Sequence, residues 1–122
     1  MANILIVDDN AMLREAYTRF LTYEGHTVAA ASSVAEALTY LSTNTPDLLL
    51  IDMLLPKENG IELLKQYDII NTHTTVKAIA FSNLKEPAIE QRARELGVSL
   101  YMAKSNVAPP ELAEAIKGVL PH

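Results

Sequence analysis

The chain has 122 residues, of which 49% are hydrophobic and 20% are charged, and its formal net charge at pH 7 is -5. These proportions are typical of one soluble globular domain that can enclose its own core. The negative charge argues against binding along a nucleic-acid backbone, and the absence of cysteine excludes disulfides, thiolate catalysis and zinc sites built on sulfur. No signal peptide or transmembrane segment is evident, so we expect a cytoplasmic protein that does not contact membranes.

Segments with the patterns of strands and helices alternate along the chain. In chain order, we predict strands at residues 3–8, 27–31, 47–52, 76–82 and 100–103, each followed by a helix, over about 11–24, 34–42, 60–71, 87–96 and 109–120. Local signals support these boundaries. Asn10 is a suitable N-cap, and Ser33 and Glu36 have the spacing of a capping box. Pro87 suits the first position of the fourth helix, and Gly97 suits its end.

This alternation predicts the class of fold. Five strands with helical, right-handed crossovers give an α/β, (βα)5, doubly wound parallel sheet with helices on both faces. The usual strand order for a sheet of this size is 2-1-3-4-5, which is flavodoxin-like. We expect a single domain over residues 1–122, with no output domain in this chain.

Two of the predicted strands end in carboxylates. The run 4–7 is followed by Asp8 and Asp9, and the run 48–51 is followed by Asp52. In the order 2-1-3-4-5 the first and third strands are neighbours, so the three acids converge where ligands bind in open α/β sheets. A single strand-end aspartate is often only a solvated cap, but three convergent ones repel each other unless a cation lies between them. Ligands that are all oxygen suit Mg²⁺ or Mn²⁺.

The fourth and fifth strands deliver two more polar groups to the same edge. Ser82 ends the fourth strand and Lys104 follows the fifth. A hydroxyl and an ammonium beside a metal-bound carboxylate match the charge distribution of a phosphoryl group. This arrangement predicts that Asp52 acts as a nucleophile and forms an acyl phosphate.

Together these residues resemble the receiver domain of two-component response regulators, in particular the single-domain, chemotaxis-regulator-like kind. The resemblance covers essentially the whole chain and is carried by Ile4 to Asn10, Asp52 to Gly60, Ser82 and Gly97 to Lys104. It also implies the strand order 2-1-3-4-5.

The resemblance implies a role for each residue of the site. Asp52 would accept phosphate from a sensor histidine kinase, a phosphotransfer protein or a small phosphodonor. Asp9, Asp52 and the backbone carbonyl of Leu54 would ligate Mg²⁺, with Asp8 acting through water. Lys104 would pair with the phosphoryl oxygens. Such a protein is not an enzyme in the usual sense, because it catalyses only its own phosphorylation and dephosphorylation.

The resemblance also implies a switch and an output surface. Ser82 would be the switch hydroxyl, and the ring of Tyr101 would turn inward once Ser82 moves toward the phosphate. The output surface would comprise the fourth helix, fifth strand and fifth helix, at about residues 85–96, 101–103 and 110–119. We expect it to bind a downstream protein target or a second copy of the chain, without direct binding to nucleic acid.

Two positions depart from the family pattern. Ser105 follows Lys104 where proline is usual, so we predict either a trans peptide or a strained cis one, since a cis bond without proline costs about 3–4 kcal/mol. Asn83 follows Ser82 where alanine or glycine is usual, and its side chain either narrows access to the site or hydrogen-bonds near it. Leu54 and Leu84 stand two residues beyond Asp52 and Ser82. The resemblance implies that these positions flank the path of the water that attacks the acyl phosphate. Leucine cannot orient that water, so we predict slow self-dephosphorylation.

Other classes of protein are also compatible with parts of this sequence. The chain is alternatively the receiver half of a longer DNA-binding response regulator, or a receiver-like binding module that never takes phosphate. A flavin-binding electron carrier shares the topology, but the acids after the first strand would repel the flavin phosphate. A phosphatase of the haloacid dehalogenase class would carry a second aspartate where Leu54 stands.

Overall fold

The computed structural model describes residues 2–55, 57, 59–83, 86–106 and 108–120, so Leu84 and Lys85 lie outside the described residues. Five strands alternate with five α-helices in these residues. In chain order they are β1 (Asn3–Val7), α1 (Ala11–Tyr23), β2 (Thr27–Ala31), α2 (Val34–Leu41), β3 (Leu48–Ile51), α3 (Gly60–Gln66), β4 (Lys77–Phe81), α4 (Pro87–Glu95), β5 (Leu100–Met102) and α5 (Pro109–Val119).

The strands form one parallel sheet in the order β2-β1-β3-β4-β5, as predicted. Val7, the last residue of β1, is in register with Ile51, the last residue of β3, and with Ala31, the last residue of β2. The three strands therefore end at the same level. The residues that directly follow these strands in the sequence therefore lie at the same edge of the sheet.

Each face of the sheet is covered by helices and encloses a separate apolar core. One core is formed by alternate strand residues with α2, α3 and α4, and it includes Leu49, Leu63 and Ala93. The other lies under α1 and α5 and includes Leu21 and Ile116. The central strands β1, β3 and β4 are apolar on both faces because both faces are buried, which explains why their sequences are continuous rather than alternating apolar runs.

Most of the predicted helix boundaries are confirmed. The Asn10 side chain accepts a hydrogen bond from Leu13 N as the N-cap of α1, and Ser33 accepts one from Glu36 N as the N-cap of α2. Gly97 ends α4 with a φ of 108°, a conformation that glycine adopts readily.

The third helix is shorter than predicted. It ends at Gln66 instead of near residue 71. Oδ1 of Asp68 accepts hydrogen bonds from the backbone of Ile70 (3.0 Å) and Asn71 (3.1 Å), which holds the chain in a turn instead of a further helical turn. Ile69 still reaches the core, since it is only 6% exposed.

The peptide that follows Lys104 is trans, because none of the peptide bonds in the described residues is cis. The chain continues through a short 3₁₀ turn over Lys104–Asn106. Of the two geometries predicted for Ser105, the structure has the unstrained one.

Candidate functional site

The backbone holds three of the predicted site residues in the sheet ladder just beyond the strands. Each amide donates to the last residue of a neighbouring strand: Asp8 to Ala31 (3.0 Å), Asp52 to Val7 (2.9 Å) and Ser82 to Met102 (2.9 Å). Because these bonds extend the parallel register by one residue, the side chains are positioned by the sheet itself, not by flexible loops.

Three carboxylates converge at this edge, as the sequence predicts. One oxygen from each of Asp8, Asp9 and Asp52 lies within 4.8 Å of the others. Asp8 and Asp52 are buried, with 5% and 6% of their surfaces exposed, whereas Asp9 is exposed. The cluster therefore combines two desolvated acids with a third that faces solvent.

Lys104 provides the cation that compensates the buried acids. Its Nζ lies 2.5 Å from Oδ2 of Asp8 and 2.7 Å from Oδ2 of Asp52. Burial acts to lower the pKa of Lys104, but its hydrogen bonds to Asp52 and Asp8 and their negative charges outweigh that effect and raise the pKa. The side chain therefore remains a full positive charge at neutral pH.

The two buried acids are held in matching ways. Oδ1 of each accepts a hydrogen bond from the backbone two residues further on, from Asn10 N to Asp8 (2.9 Å) and from Leu54 N to Asp52 (3.0 Å). Oδ2 of each then contacts Lys104. Both carboxylates are thus fixed in orientation, with one oxygen toward the backbone and one toward the cation.

Arg14 is a neighbour of the site that the sequence analysis missed. This half-buried side chain donates from Nη1 to the backbone carbonyl of Asp8 at 2.7 Å. The bond brings a second positive charge close to the acidic cluster and anchors the chain at the point where β1 passes into α1. Its only signal in the sequence is a basic residue one helical turn after the N-cap Asn10.

Gly60 lets the beginning of α3 pack against the strand that carries Asp52. A Cβ at this position would lie 3.0 Å from the backbone oxygen of Asp52, 3.0 Å from Cγ2 of Ile51 and 2.4 Å from Cε of Met53. The glycine that closes the motif after Asp52 is therefore required for close backbone approach.

Ser82 and Tyr101 are also brought together. Ser82 is 1% exposed, and the half-buried ring of Tyr101 packs against the core on the side of α2, α3 and α4. Burial raises the pKa of Tyr101, and a side-chain hydrogen bond with Ser82 partly opposes that rise. Both residues line a cleft of about 840 Å³ that extends along α4 and includes Arg94.

Asn83 and Ser105 are in direct contact as well. Oδ1 of Asn83 accepts a hydrogen bond from Ser105 N at 2.9 Å. Of the two predicted alternatives for Asn83, hydrogen bonding near the site is therefore observed. The bond joins the loop after β4 to the turn after β5.

The donor set suits a hard divalent cation. The converging groups are carboxylate oxygens, two of them on buried residues, and a positive charge already lies among them in the form of the Lys104 ammonium. Sites built only of oxygen favour Mg²⁺, Mn²⁺ or Ca²⁺ over zinc or copper. The residues therefore fit the metal that the sequence predicts.

Comparison with known proteins identifies the family. Residues 4–117 match the family model of the response regulator receiver domain. The chain belongs to this family, the receivers of two-component signalling.

Individual relatives agree with this assignment. The chain is 32% identical over 118 residues to the sporulation initiation phosphotransferase F of Bacillus subtilis, covering 97% of this chain and 93% of that protein. It superimposes with a TM-score of 0.89 on a CheY-like response regulator receiver domain protein from Methanospirillum hungatei, at 28% identity, over 97% of this chain and 92% of the other.

Some relatives are much longer than this chain. The match to the gliding motility regulatory protein of Myxococcus xanthus, at 29% identity, includes 93% of this chain but only 14% of that protein.

A second solved structure is of similar length. This chain is 31% identical to a LuxR-family two-component response regulator from Aurantimonas, with a TM-score of 0.84, over 97% of this chain and 84% of that structure.

Across the described parts of the chain, every helix is too short or too polar to traverse a bilayer.

Proposed function

We propose that the chain is a phosphoaspartate-forming receiver. It takes a phosphoryl group from a sensor histidine kinase or a phosphotransfer protein onto Asp52, with Mg²⁺, and switches a protein-binding surface in response. The observation that carries this proposal is the buried carboxylate of Asp52 with the Lys104 ammonium 2.7 Å away and two further carboxylates beside it.

The proposed reaction is an in-line transfer between two nucleophiles. A carboxylate oxygen of Asp52 attacks phosphorus, an O–P bond forms, and the P–N bond of a phosphohistidine breaks. The electron pair of that bond stays on the imidazole. The ring leaves as neutral imidazole when its other nitrogen carries a proton, and otherwise takes up a proton from solvent as it leaves. With acetyl phosphate as donor, a P–O bond breaks instead and acetate leaves.

Asp9, Asp52 and the backbone carbonyl of Leu54 would hold the metal, with Asp8 acting through water. When bound there, Mg²⁺ or Mn²⁺ would neutralise charge on the phosphoryl oxygens. The protein supplies the rest of the site. Backbone amides fix the orientation of Asp8 and Asp52, so little reorganisation is required when the donor arrives.

Lys104 changes partners in the proposed reaction. Before transfer its ammonium compensates Asp8 and Asp52, and after transfer it pairs with an oxygen of the phosphoryl group on Asp52. Because its hydrogen bonds to Asp52 and Asp8 outweigh burial and raise its pKa, it carries a full charge at neutral pH before transfer. A cation already in place stabilises the developing charge without a large movement of the chain.

Ser82 and Tyr101 would transmit the signal. Phosphorylation adds a charge of about -1.5 to -2 with three acceptor oxygens. The Ser82 hydroxyl would reorient toward these oxygens and give up its hydrogen bond with Tyr101. The ring of Tyr101 would then shift within the cleft along α4, which alters the surface formed by α4, β5 and α5.

That surface would bind the output partner, which is a downstream protein or a second copy of the chain. We propose that the protein acts in the cytoplasm. We also propose that it turns over no substrate other than its own phosphoryl group and binds no nucleic acid directly.

A second candidate is the receiver part of a longer DNA-binding response regulator. It is favoured by partial matches to longer regulators. The chain is 38% identical over 63 residues to the response regulator MprA of Mycobacterium ulcerans and 39% identical over 67 residues to the virulence transcriptional regulatory protein PhoP of Salmonella typhimurium, and these matches span 27% and 30% of the two proteins. The sequence of the complete gene distinguishes the two candidates.

The proposal is tested by intact-protein mass spectrometry after treatment with acetyl phosphate. Wild-type protein should gain the mass of one phosphoryl group when Mg²⁺ is present and lose it in hydroxylamine, which cleaves acyl phosphates. Asp52→Asn should gain none, while Asp47→Asn, a change in an exposed aspartate at the opposite end of β3, should behave as wild type. Equal labelling of wild type and Asp52→Asn would refute the proposal.

A further inference from the structure

The hydrogen bond between Asn83 and Ser105 connects the two loops that carry Ser82 and Lys104. The two residues are 22 positions apart, and Oδ1 of Asn83 lies 2.9 Å from Ser105 N. Asn83 directly follows Ser82, whose own amide is fixed to Met102 in the sheet ladder. The acceptor therefore projects from a backbone that is held firmly by β5.

The donor of this bond belongs to a backbone with less support of its own. Lys104 begins a 3₁₀ turn of only three residues, and such turns have weaker hydrogen-bond geometry than an α-helix. The amide of Ser105 is available because serine, unlike proline, retains its backbone N–H. Asn83 thus fastens the residue immediately after Lys104 to the end of the sheet.

The position of the Lys104 backbone matters because of what its side chain does. Its Nζ must contact two carboxylates at 2.5 and 2.7 Å from the end of a flexible four-carbon stem. Holding a lysine side chain in one place costs rotamer entropy. An anchored backbone lowers the total entropy cost of keeping the Lys104 ammonium in the cluster. A loose turn would allow the ammonium to leave the acidic cluster.

We propose that Asn83 is a positioning residue for Lys104. Its carboxamide clamps Ser105 N and so directs the Lys104 ammonium into the cluster, where it compensates Asp8 and Asp52. The part of this inference that concerns phosphoryl transfer rests on the proposed function. The clamp itself is a property of the unphosphorylated, metal-free protein.

Amide hydrogen exchange measured by NMR on the metal-free protein tests the clamp. In Asn83→Ala and Asn83→Leu, exchange at Ser105 N should accelerate by about three- to tenfold relative to wild type, the range that one net hydrogen bond contributes to an equilibrium. Asn83→Asp keeps an acceptor in the same place and should retain the protection. Asn44→Ala, an exposed asparagine at the far end of α2, should leave Ser105 unchanged. Unchanged exchange in Asn83→Ala would overturn the clamp.

A double-mutant cycle tests whether the clamp acts through Lys104. The cycle combines Asn83→Ala with Lys104→Met and measures the equilibrium constant of unfolding without metal. Beside Lys104→Met, replacing Asn83 removes only the hydrogen bond and should change that constant by about three- to tenfold. If Asn83 positions the ammonium, the change in the wild-type background should be larger than this by about twofold or more. Equal effects in the two backgrounds would mean that Asn83 only stabilises its own loop, and the inference would be overturned.

Labelling by acetyl phosphate distinguishes an effect of the Asn83 hydrogen bond from an effect of the size of the Asn83 side chain. Loss of the bond should slow labelling of Asp52 by about three- to tenfold in both Asn83→Ala and Asn83→Leu. If Asn83 acted only by obstructing access, alanine would accelerate labelling and leucine would leave it unchanged. Absence of labelling in the wild type would count against the proposed function alone, since exchange and the mutant cycle still decide whether Asn83 positions Lys104.

Discussion

The ammonium of Lys104 lies 2.7 Å from Oδ2 of Asp52, although the two residues are 52 positions apart in the chain. The same ammonium also contacts Asp8, so one lysine compensates both buried carboxylates of the site. A charge that would otherwise come from a metal is thus partly supplied by the protein.

Replacing Lys104 should therefore destabilise the protein in a metal-dependent manner. Without metal, Lys104→Met leaves two buried carboxylates uncompensated and should lower the free energy of unfolding by about 1–3 kcal/mol. With saturating Mg²⁺ the loss should be smaller, since the ion replaces the missing charge. Urea denaturation with and without Mg²⁺ measures both values.

Lys117→Met is the matched control for this prediction. Lys117 has a side chain that is 62% exposed and forms an exposed ion pair with Glu114. Its replacement should change stability by no more than about 0.5 kcal/mol, with or without Mg²⁺. A Lys104→Met loss that is the same in both conditions would contradict this interpretation of the site.

Gly60 and Gly118 should respond in opposite ways to alanine. In Gly60→Ala the new Cβ meets the backbone of Asp52 at 3.0 Å, so stability should fall by about 1–2 kcal/mol and Mg²⁺ should bind more weakly. Gly118 lies in α5, where no atom of the described residues is within 4 Å of the new Cβ, and Gly118→Ala should stabilise by about 0.5–1 kcal/mol. Thermal unfolding with and without metal compares the two, and a tolerated Gly60→Ala would show that α3 does not constrain Asp52.

The protein should lose stability on the alkaline side of about pH 10. Burial raises the pKa of Tyr17, Tyr67 and Tyr101, and contacts with Asp52 and Asp8 raise that of Lys104 against the opposing effect of burial. At a pH between the unfolded and the folded pKa values of these groups, the folded protein therefore binds more protons than the unfolded chain. The stability that these groups contribute is complete below their unfolded pKa values and is lost as pH rises through the folded ones.

Tyr67→Phe provides a specific check on this alkaline loss. The Tyr67 hydroxyl is buried and has no hydrogen-bond partner among the described residues. Its removal should preserve stability at neutral pH or raise it by up to about 1 kcal/mol, and should reduce the loss above pH 10. Denaturant unfolding at neutral and alkaline pH measures both effects, and an unchanged alkaline loss would count against a raised pKa for Tyr67.

The sheet and the convergence of the acids follow from local sequence patterns. The apolar runs that end in Asp8 and Asp52 have no polar face. They therefore predict strands that are buried on both faces of a parallel sheet. Once the strand order is set, the register brings their ends together. The metal-binding chemistry then follows from which residue types stand at those ends.

Other features depend on side-chain hydrogen bonds, which the periodicity of apolar residues does not encode. The early end of α3 results from the Asp68 side chain competing with helical hydrogen bonds. The bonds from Arg14 to Asp8 and from Ser105 to Asn83 depend on side-chain directions in the folded state. The sequence places Asn83 near the site, directly after Ser82, but does not identify Ser105 as its hydrogen-bond partner.

Leu54 should prolong the life of the phosphorylated state. Its side chain is 53% exposed, although its backbone amide is bound to Asp52. An exposed apolar side chain beside the phosphoryl group cannot orient a water for attack. Leu54→Asn should therefore shorten the phosphate lifetime severalfold, as followed by the decay of the mass adduct after donor removal, while Leu54→Met should not. Equal lifetimes in the three proteins would disprove the prediction for this position.

The most direct test of the account is to locate the acyl phosphate chemically. Borohydride reduces a phosphoaspartate to homoserine, and peptide mass spectrometry identifies the converted residue. After incubation with acetyl phosphate and Mg²⁺, we predict homoserine at position 52 and nowhere else, and none when Mg²⁺ is removed by a chelator. Conversion at another aspartate, or no conversion at Asp52 in folded, Mg²⁺-bound protein, would contradict the account.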